Sequence, residues 1–263
     1  MRLLVSVRDA DEARSAIEGG AAIIDAKEPS RGALGAVELP MLRAIRDAVG
    51  DACPLSAALG DADDDASLAN AAHDVAALGV AYVKIGFHGV HDPERAAELL
   101  RAAVHGADAA RQRTHVIAVA YADAELVDAL SPRALIEVAS RAGARGVLLD
   151  TAMKTRGRLL ERMTTSAIIE WVEAAHRASL LAALAGGLQR DDLGIVAAAG
   201  ADVVGVRGAA CVEGREGRVS VSRVRALAET VQRVRDRTSM RSTQKSGCPA
   251  PTGHAIPSAF TRR

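Results

Sequence analysis

The stretch LLVSVRDADEARSAIEGGAAIIDAK, residues 3–27, carries the unit from which the chain is built. Residues 3–7 form a short apolar run of strand length. Residues 9–18 then set Ala13, Ala16 and Ile17 on one helical face, and Gly19-Gly20 ends that helix. A second apolar strand is expected at 21–25, with Lys27 just past its carboxyl end. Strand, helix and strand in so short a span is the parallel β-α-β unit. The same alternation continues outward. Strands are expected at 54–59, 80–85, 115–121, 146–150, 180–184 and 201–206. Helices are expected at 38–49, 67–78, 93–110, from Ser131-Pro132 to Gly143, and at 165–178, 191–199 and 222–235. Eight strand-helix pairs in a chain of 263 residues suit a single (β/α)8 TIM barrel over residues 1–236. A doubly wound open sheet is the alternative, but no GxGxxG follows the first strand to support a dinucleotide site. Residues 237–263, rich in Ser, Thr, Pro and Gly, lose all periodicity and are expected to form a disordered tail.

Composition narrows the function. The formal net charge is zero and aromatics make up 2%, so neither a polyanionic partner nor base-stacking platforms are indicated. No apolar run reaches the roughly 20 residues of a membrane span, and the start MRLLVSVRDADEA lacks the pattern of a signal peptide. Cys53, Cys211 and Cys248 fit no disulfide framework or CxxC site. These features lead us to expect a cytoplasmic protein that binds neither nucleic acid nor membrane. A homo-oligomer is expected as well.

The basic residues carry the sharpest signal. Of 33 Lys and Arg, only Lys27, Lys84, Lys154 and Lys245 are lysine. Arginine serves equally well on a solvated surface, but it cannot shed its proton to become a nucleophile. Three of the four lysines close or follow apolar runs, in AIIDAK, AYVKIG and GVLLDTAMK. In a barrel, strand ends converge on one mouth. Lys27 with Asp25, Lys84, and Lys154 with Asp150 would meet there. Desolvation and neighbouring cations lower a lysine pKa and free the amine to attack a carbonyl. The resulting imine is an electron sink, and carboxylates beside it can move protons. The plainer reading is that each strand-end lysine pairs with a nearby Asp, while Asp25 and Asp150 cap loops.

The loops after the last two strands, ALAGGL and DVVGVRGAAC, offer small residues and bare backbone where this architecture cradles phosphate. Gly186, Gly187 and Gly208 are therefore expected at a phosphate, with Arg207 adding a forked contact. Asp61 and Asp123, also at strand ends, are expected as further substrate contacts. The run DADDD at 61–65 lacks the alternation and Gly of a calcium loop and reads instead as an acidic lead into a helix. The histidines show neither HxxxH nor HExxH spacing, so no metal site is expected. Cys211 reads as a small buried residue.

Taken together, LLVSV (3–7), AIIDAKEPSRGALGA (22–36), YVKIGFHGV (82–90), AYADA (120–124), LLDTAMK (148–154), ALAGGL (183–188) and DVVGVRGAAC (202–211) resemble the (5-formylfuran-3-yl)methyl phosphate synthase family. That family is also known as 4-(hydroxymethyl)-2-furancarboxaldehyde-phosphate synthase. The likeness spans roughly residues 1–235 and leaves out the tail and the acidic run. It implies a TIM-barrel lyase that joins two glyceraldehyde 3-phosphates, with loss of one phosphate and two waters, into a furan aldehyde phosphate for methanofuran-type carriers. It also implies a methanogen or methylotroph setting. The family's Schiff-base lysine falls on Lys27, its other catalytic lysines on Lys84 and Lys154, and its catalytic aspartate on Asp150, while Asp25 lies in the matched IIDAK motif. No cofactor is implied. Another class I phosphosugar aldolase, or a barrel that only binds a phosphorylated metabolite, are the competing readings.

Overall fold

A computed structural model describes residues 1–245 except position 63, with side chains up to position 237. Strands β1 (Arg2–Val7), β2 (Ile23–Ala26), β3 (Leu55–Asp61), β4 (Tyr82–Gly86), β5 (His115–Tyr121), β6 (Gly146–Asp150), β7 (Leu181–Leu184) and β8 (Val203–Val206) close in sequence order into one parallel barrel. The pairing of β1 with β8, which sets Leu4 opposite Gly205, excludes the open sheet. Helices α1 (Ala10–Glu18), α2 (Leu39–Val49), α3 (Asp65–Ala77), α4 (Pro93–Ala109), α5 (Pro132–Arg141), α6 (Leu159–Arg162), α7 (Thr165–Arg177), α8 (Leu193–Ala198) and α9 (Val221–Lys245) complete the described chain.

Local chemistry explains where the helices begin. Asp9, Asp64, Asp92, Ser131 and Thr164 each accept a backbone N–H of the first turn they precede, and Pro93 and Pro132 occupy positions where a missing N–H costs nothing. The acidic run at 61–65 is thereby accounted for: Asp64 caps α3 and Asp65 opens it. Trp171 lies on the buried face of α7 and donates Nε1–H to the Pro132 carbonyl at the start of α5 at 3.0 Å.

The core has two parts. Outward-facing Val, Leu, Ile and Ala of the strands pack against the helices, and a smaller cluster that includes Ala58, Ile117, Val119 and Leu148 fills part of the barrel interior. Strand alternation turns every second residue inward. On β1, β2 and β3 that rule sets Ser6, Asp25 and Ser56 side by side as one polar layer.

Three expectations are corrected. The last helix continues to Lys245 rather than ending at 235. RTSMRSTQK contains no Gly or Pro, and those breakers arrive only at Gly247 and Pro249. The remainder of the expected tail, with Cys248, lies outside the described residues. The loop after β6 contains the short helix α6. Strand β3 extends to Asp61 through a register shift between Ala58 and Asp61. Among the described residues no helix is long and apolar enough to cross a membrane.

Candidate active site

Asp25 and Lys27 lie two residues apart at the end of β2, so both face into the barrel. Lys27 stays in register because its N–H donates to the Val7 carbonyl of β1 at 2.9 Å. Lys84, from β4, donates from Nζ to Asp25 Oδ2 at 2.6 Å, and Ser6 Oγ donates to the same oxygen at 2.8 Å. Both partners of the Lys84–Asp25 pair are buried. Asp25 Oδ1 and Ser56 Oγ, equally buried, have no hydrogen-bond partner among the described residues. Bare polar atoms in a buried wall are costly and suit a hydroxyl-bearing ligand.

Across the mouth, Lys154 donates from Nζ to Asp150 Oδ1 at 2.5 Å and to Thr151 Oγ1 at 3.4 Å. The Thr151 N–H adds a 2.7 Å bond to the same Asp150 oxygen. Burial by itself would raise the Asp150 carboxyl. The Lys154 and Lys27 ammonium groups and those hydrogen bonds outweigh burial and hold it below the ordinary carboxylate value.

The third lysine differs from the other two. Among the described residues Lys27 has no ion-pair partner, and it is only 6% exposed. Burial, reinforced by the Lys84 and Lys154 charges against the weaker pull of Asp150 and Asp25, lowers its pKa from 10.5 to about 7. The plain reading of paired strand-end lysines thus holds for Lys84 and Lys154 and fails for Lys27. The arrangement presents one neutralisable amine between two lysine–carboxylate pairs.

One cavity of about 890 Å³ is lined by Lys27, Lys84, Lys154, Asp25 and Asp150, and by Gly186, Gly187, Arg207 and Gly208. Small interior residues such as Ser56, Ala183 and Gly205 let it continue down the barrel towards Tyr82 and Arg145 at the opposite end. Gly186 and Gly187 adopt φ of 100° and 70°, and a Cβ on Gly187 would press on the Arg158 side chain, so this turn requires glycine.

Three expected substrate contacts are spent elsewhere. Arg207 reaches the cavity wall, but all five of its donors are used. They go to Glu12 twice, to Ser6 O at 3.0 Å, to Arg215 O at 2.9 Å and to Gly217 O at 3.0 Å. No forked phosphate contact is left to it. Asp123 is fully buried and accepts the Ala152 and Met153 N–H groups at 2.7 and 2.9 Å. It shapes the loop that carries Lys154 instead of facing the cavity. Asp61, turned by the β3 irregularity, accepts the Tyr121 hydroxyl at 2.5 Å and the His88 N–H at 3.1 Å. Both carboxylates lie off the cavity wall, where they brace loops.

Sequence reasoning passed over Ser6 and Ser56 in the polar layer, and also Glu12 and Arg215. Arg215 lines the cavity. Its position between glycines in VEGREGR, one loop after β8, was the available signal. Among the described residues no group of three or more His, Cys, Asp or Glu is placed to hold a metal ion.

Fold and pocket together define a class: (β/α)8 barrels with a lysine-rich polar cavity at the carboxyl ends of the strands. Among solved structures the fold is similar to 3-hexulose-6-phosphate synthase from Salmonella typhimurium, with a TM-score of 0.61 and 18% identity over 89% of this chain and 100% of that one. The model of the family described as 4-HFC-P synthase matches residues 3–228. A (5-formylfuran-3-yl)methyl phosphate synthase of Methanopyrus kandleri is 41% identical over 233 residues, covering 88% of this chain and 98% of the relative. One from Methanocaldococcus jannaschii is 38% identical over 232 residues, 87% of this chain and 99% of the relative. The chain belongs to the 4-HFC-P synthase family.

Proposed function

We propose that this protein condenses two molecules of glyceraldehyde 3-phosphate into (5-formylfuran-3-yl)methyl phosphate, releasing one phosphate and two waters, through an imine on Lys27. The product feeds a methanofuran-type one-carbon carrier, and the reaction is a lyase-type condensation in the cytoplasm. The observation that carries the reading is the unpaired Lys27 amine, buried and lowered to about pKa 7 between two lysine–carboxylate pairs.

At neutral pH a large fraction of Lys27 is the free amine, and it adds to the aldehyde carbon of one triose phosphate. Loss of water gives the imine, whose protonated form draws electrons from the neighbouring carbon and acidifies its C–H bond. Asp150, held ionised by Lys154, is the proton acceptor on one wall. Lys84, fixed by Asp25, is the cationic donor on the other and stabilises oxyanions as the second aldehyde is attacked. Elimination of one phosphate and of water, followed by ring closure, ends in an aromatic furan, which draws the sequence forward. The names of the curated relatives and the lysine-rich pocket support this reading over a general class I aldolase.

The test uses glyceraldehyde 3-phosphate as sole substrate, with mass spectrometry of the product and borohydride reduction of the protein. A furan aldehyde phosphate and a reduced adduct on Lys27 are expected. An adduct that persists in Lys27→Arg would refute the imine assignment. The rate of adduct formation should rise with pH through about 7, because the charged form of Lys27 must first lose its proton.

A further inference from the structure

Four cationic groups lining the cavity are paired within the structure: Lys84 with Asp25, Lys154 with Asp150, Arg158 with Glu161 and Asp192, and Arg207 with Glu12. Lys27 can discard its own charge. Arg215, half-buried on the cavity wall, is among the lining arginines with no carboxylate within ion-pairing distance among the described residues. Asp150, Glu216 and Glu28 face it from further away. A permanent cation left bare beside a cavity is a standing demand for an anion.

The backbone is built to hold it there. Between β8 and α9 the chain folds into a small two-armed loop, with Cys211 bridged to Val219 and the Val212 N–H donating to Arg218 O at 2.9 Å. Glu213 and Gly214 take φ of 60° and 82° at its bend, and a Cβ on Gly217 would collide with the Val212 carbonyl. The Arg215 carbonyl is gripped by the buried Arg207 at 2.9 Å, which fixes the root of the side chain. At its tip, Nη2 donates to Pro29 O at 2.9 Å and Gly32 O at 2.6 Å, in the loop that follows Lys27. Nε and Nη1 take no partner among the described residues.

We propose that Arg215 binds the phosphate group of the substrate, with the uncommitted part of its guanidinium facing the Gly208 end of the cavity. Its other nitrogen staples the loop after β2 across the mouth. The ligand chemistry is a phosphomonoester or free phosphate dianion. The assignment rests on the reading that Lys27 captures a phosphorylated aldehyde. A phosphate held here orients that aldehyde relative to the amine, and near neutral pH, where much of Lys27 is the free amine, the guanidinium is still charged even though burial lowers its pKa.

The experiment compares wild type, Arg215→Gln and Arg215→Lys in two measurements. The first is calorimetric binding of inorganic phosphate. The second is borohydride trapping on Lys27 with glyceraldehyde 3-phosphate and, separately, with unphosphorylated glyceraldehyde. Arg215→Gln should weaken phosphate binding, and raise half-saturation for the phosphorylated aldehyde, by on the order of 10- to 100-fold. Trapping of glyceraldehyde should fall far less than trapping of the phosphorylated aldehyde, any shared loss measuring the staple, and circular dichroism reports that the variant is folded. Arg215→Lys, which keeps the charge but loses the fork, should fall between the two. If both aldehydes lose trapping equally, Arg215 is only a staple and the proposal is overturned. Undiminished phosphate binding in Arg215→Gln overturns it too. If the wild type traps neither aldehyde yet phosphate binding still depends on Arg215, the anion assignment stands and the imine reading alone fails.

Discussion

Lys27 is held against its own preference for water. Its pKa falls from 10.5 in the unfolded chain to about 7 in the fold, so the folded state binds fewer protons between those values. The stability penalty is therefore complete below about pH 7 and shrinks as pH climbs towards 10.5. Replacing Lys27 by Met removes a buried amine at similar length. The variant should be inactive yet more stable than wild type by roughly 2–4 kcal/mol at pH 6, with the difference fading at pH 10. Urea denaturation at the two pH values measures this, and equal stability at pH 6 would contradict the desolvated state described here. The lysines were legible because arginine replaces lysine nearly everywhere else in this chain. Which of the three stands unpaired was not legible, because that depends on Asp25 of β2 reaching Lys84 of β4 while Asp150 takes the nearby Lys154.

Helix α1 and the loop after β8 are joined by one buried ion pair. Glu12, 1% exposed, receives the Arg207 guanidinium through both carboxylate oxygens, and it also accepts the Arg8 N–H at 3.0 Å. Glu12→Ala would leave Arg207 buried with its charge unmatched, at a cost of about 3–5 kcal/mol. A fall in urea midpoint of that size is expected, with phosphate binding weakened because the Arg215 carbonyl hangs from Arg207. Retention of wild-type stability would show that Arg207 finds another partner. The sequence pattern did not disclose this pair. Glu12 looked like an ordinary acid in a first helical turn, and its partner lies 195 residues away. For the same reason the forked phosphate contact was expected at Arg207: spacing cannot say which of three arginines in one loop a buried carboxylate consumes. Asp61 and Asp123 bind loop groups off the cavity wall for a related reason, since a place at a strand end does not fix the direction of a side chain.

The barrel as a whole is closed but lightly filled. Alternating strand and helix periods made the (β/α)8 architecture readable, and the β1–β8 pairing turned that alternation into closure. The cavity that runs inward past Ala183 and Gly205 was not readable, because the alanine-rich composition does not say which alanines point inward. If the lower part of that space is only unfilled core, Ala183→Val should raise stability by about 0.5–2 kcal/mol and leave turnover intact. Differential scanning calorimetry together with steady-state rates checks both halves of that statement. A loss of turnover without loss of stability would instead show that reactants use the deeper space.

A chain with so few lysines, one of them uncharged near neutrality, is also a selective target for acylating reagents. At pH 7 an activated ester small enough to enter the mouth should modify Lys27 ahead of Lys84 and Lys154, whose amines are held by carboxylates. The α-amino group is the rival nucleophile, since burial, with help from Arg235, also lowers its pKa. Peptide mapping after brief exposure would separate the two sites. A tethered aldehyde mimic delivered this way would make the protein a scaffold for single-site covalent ligand discovery.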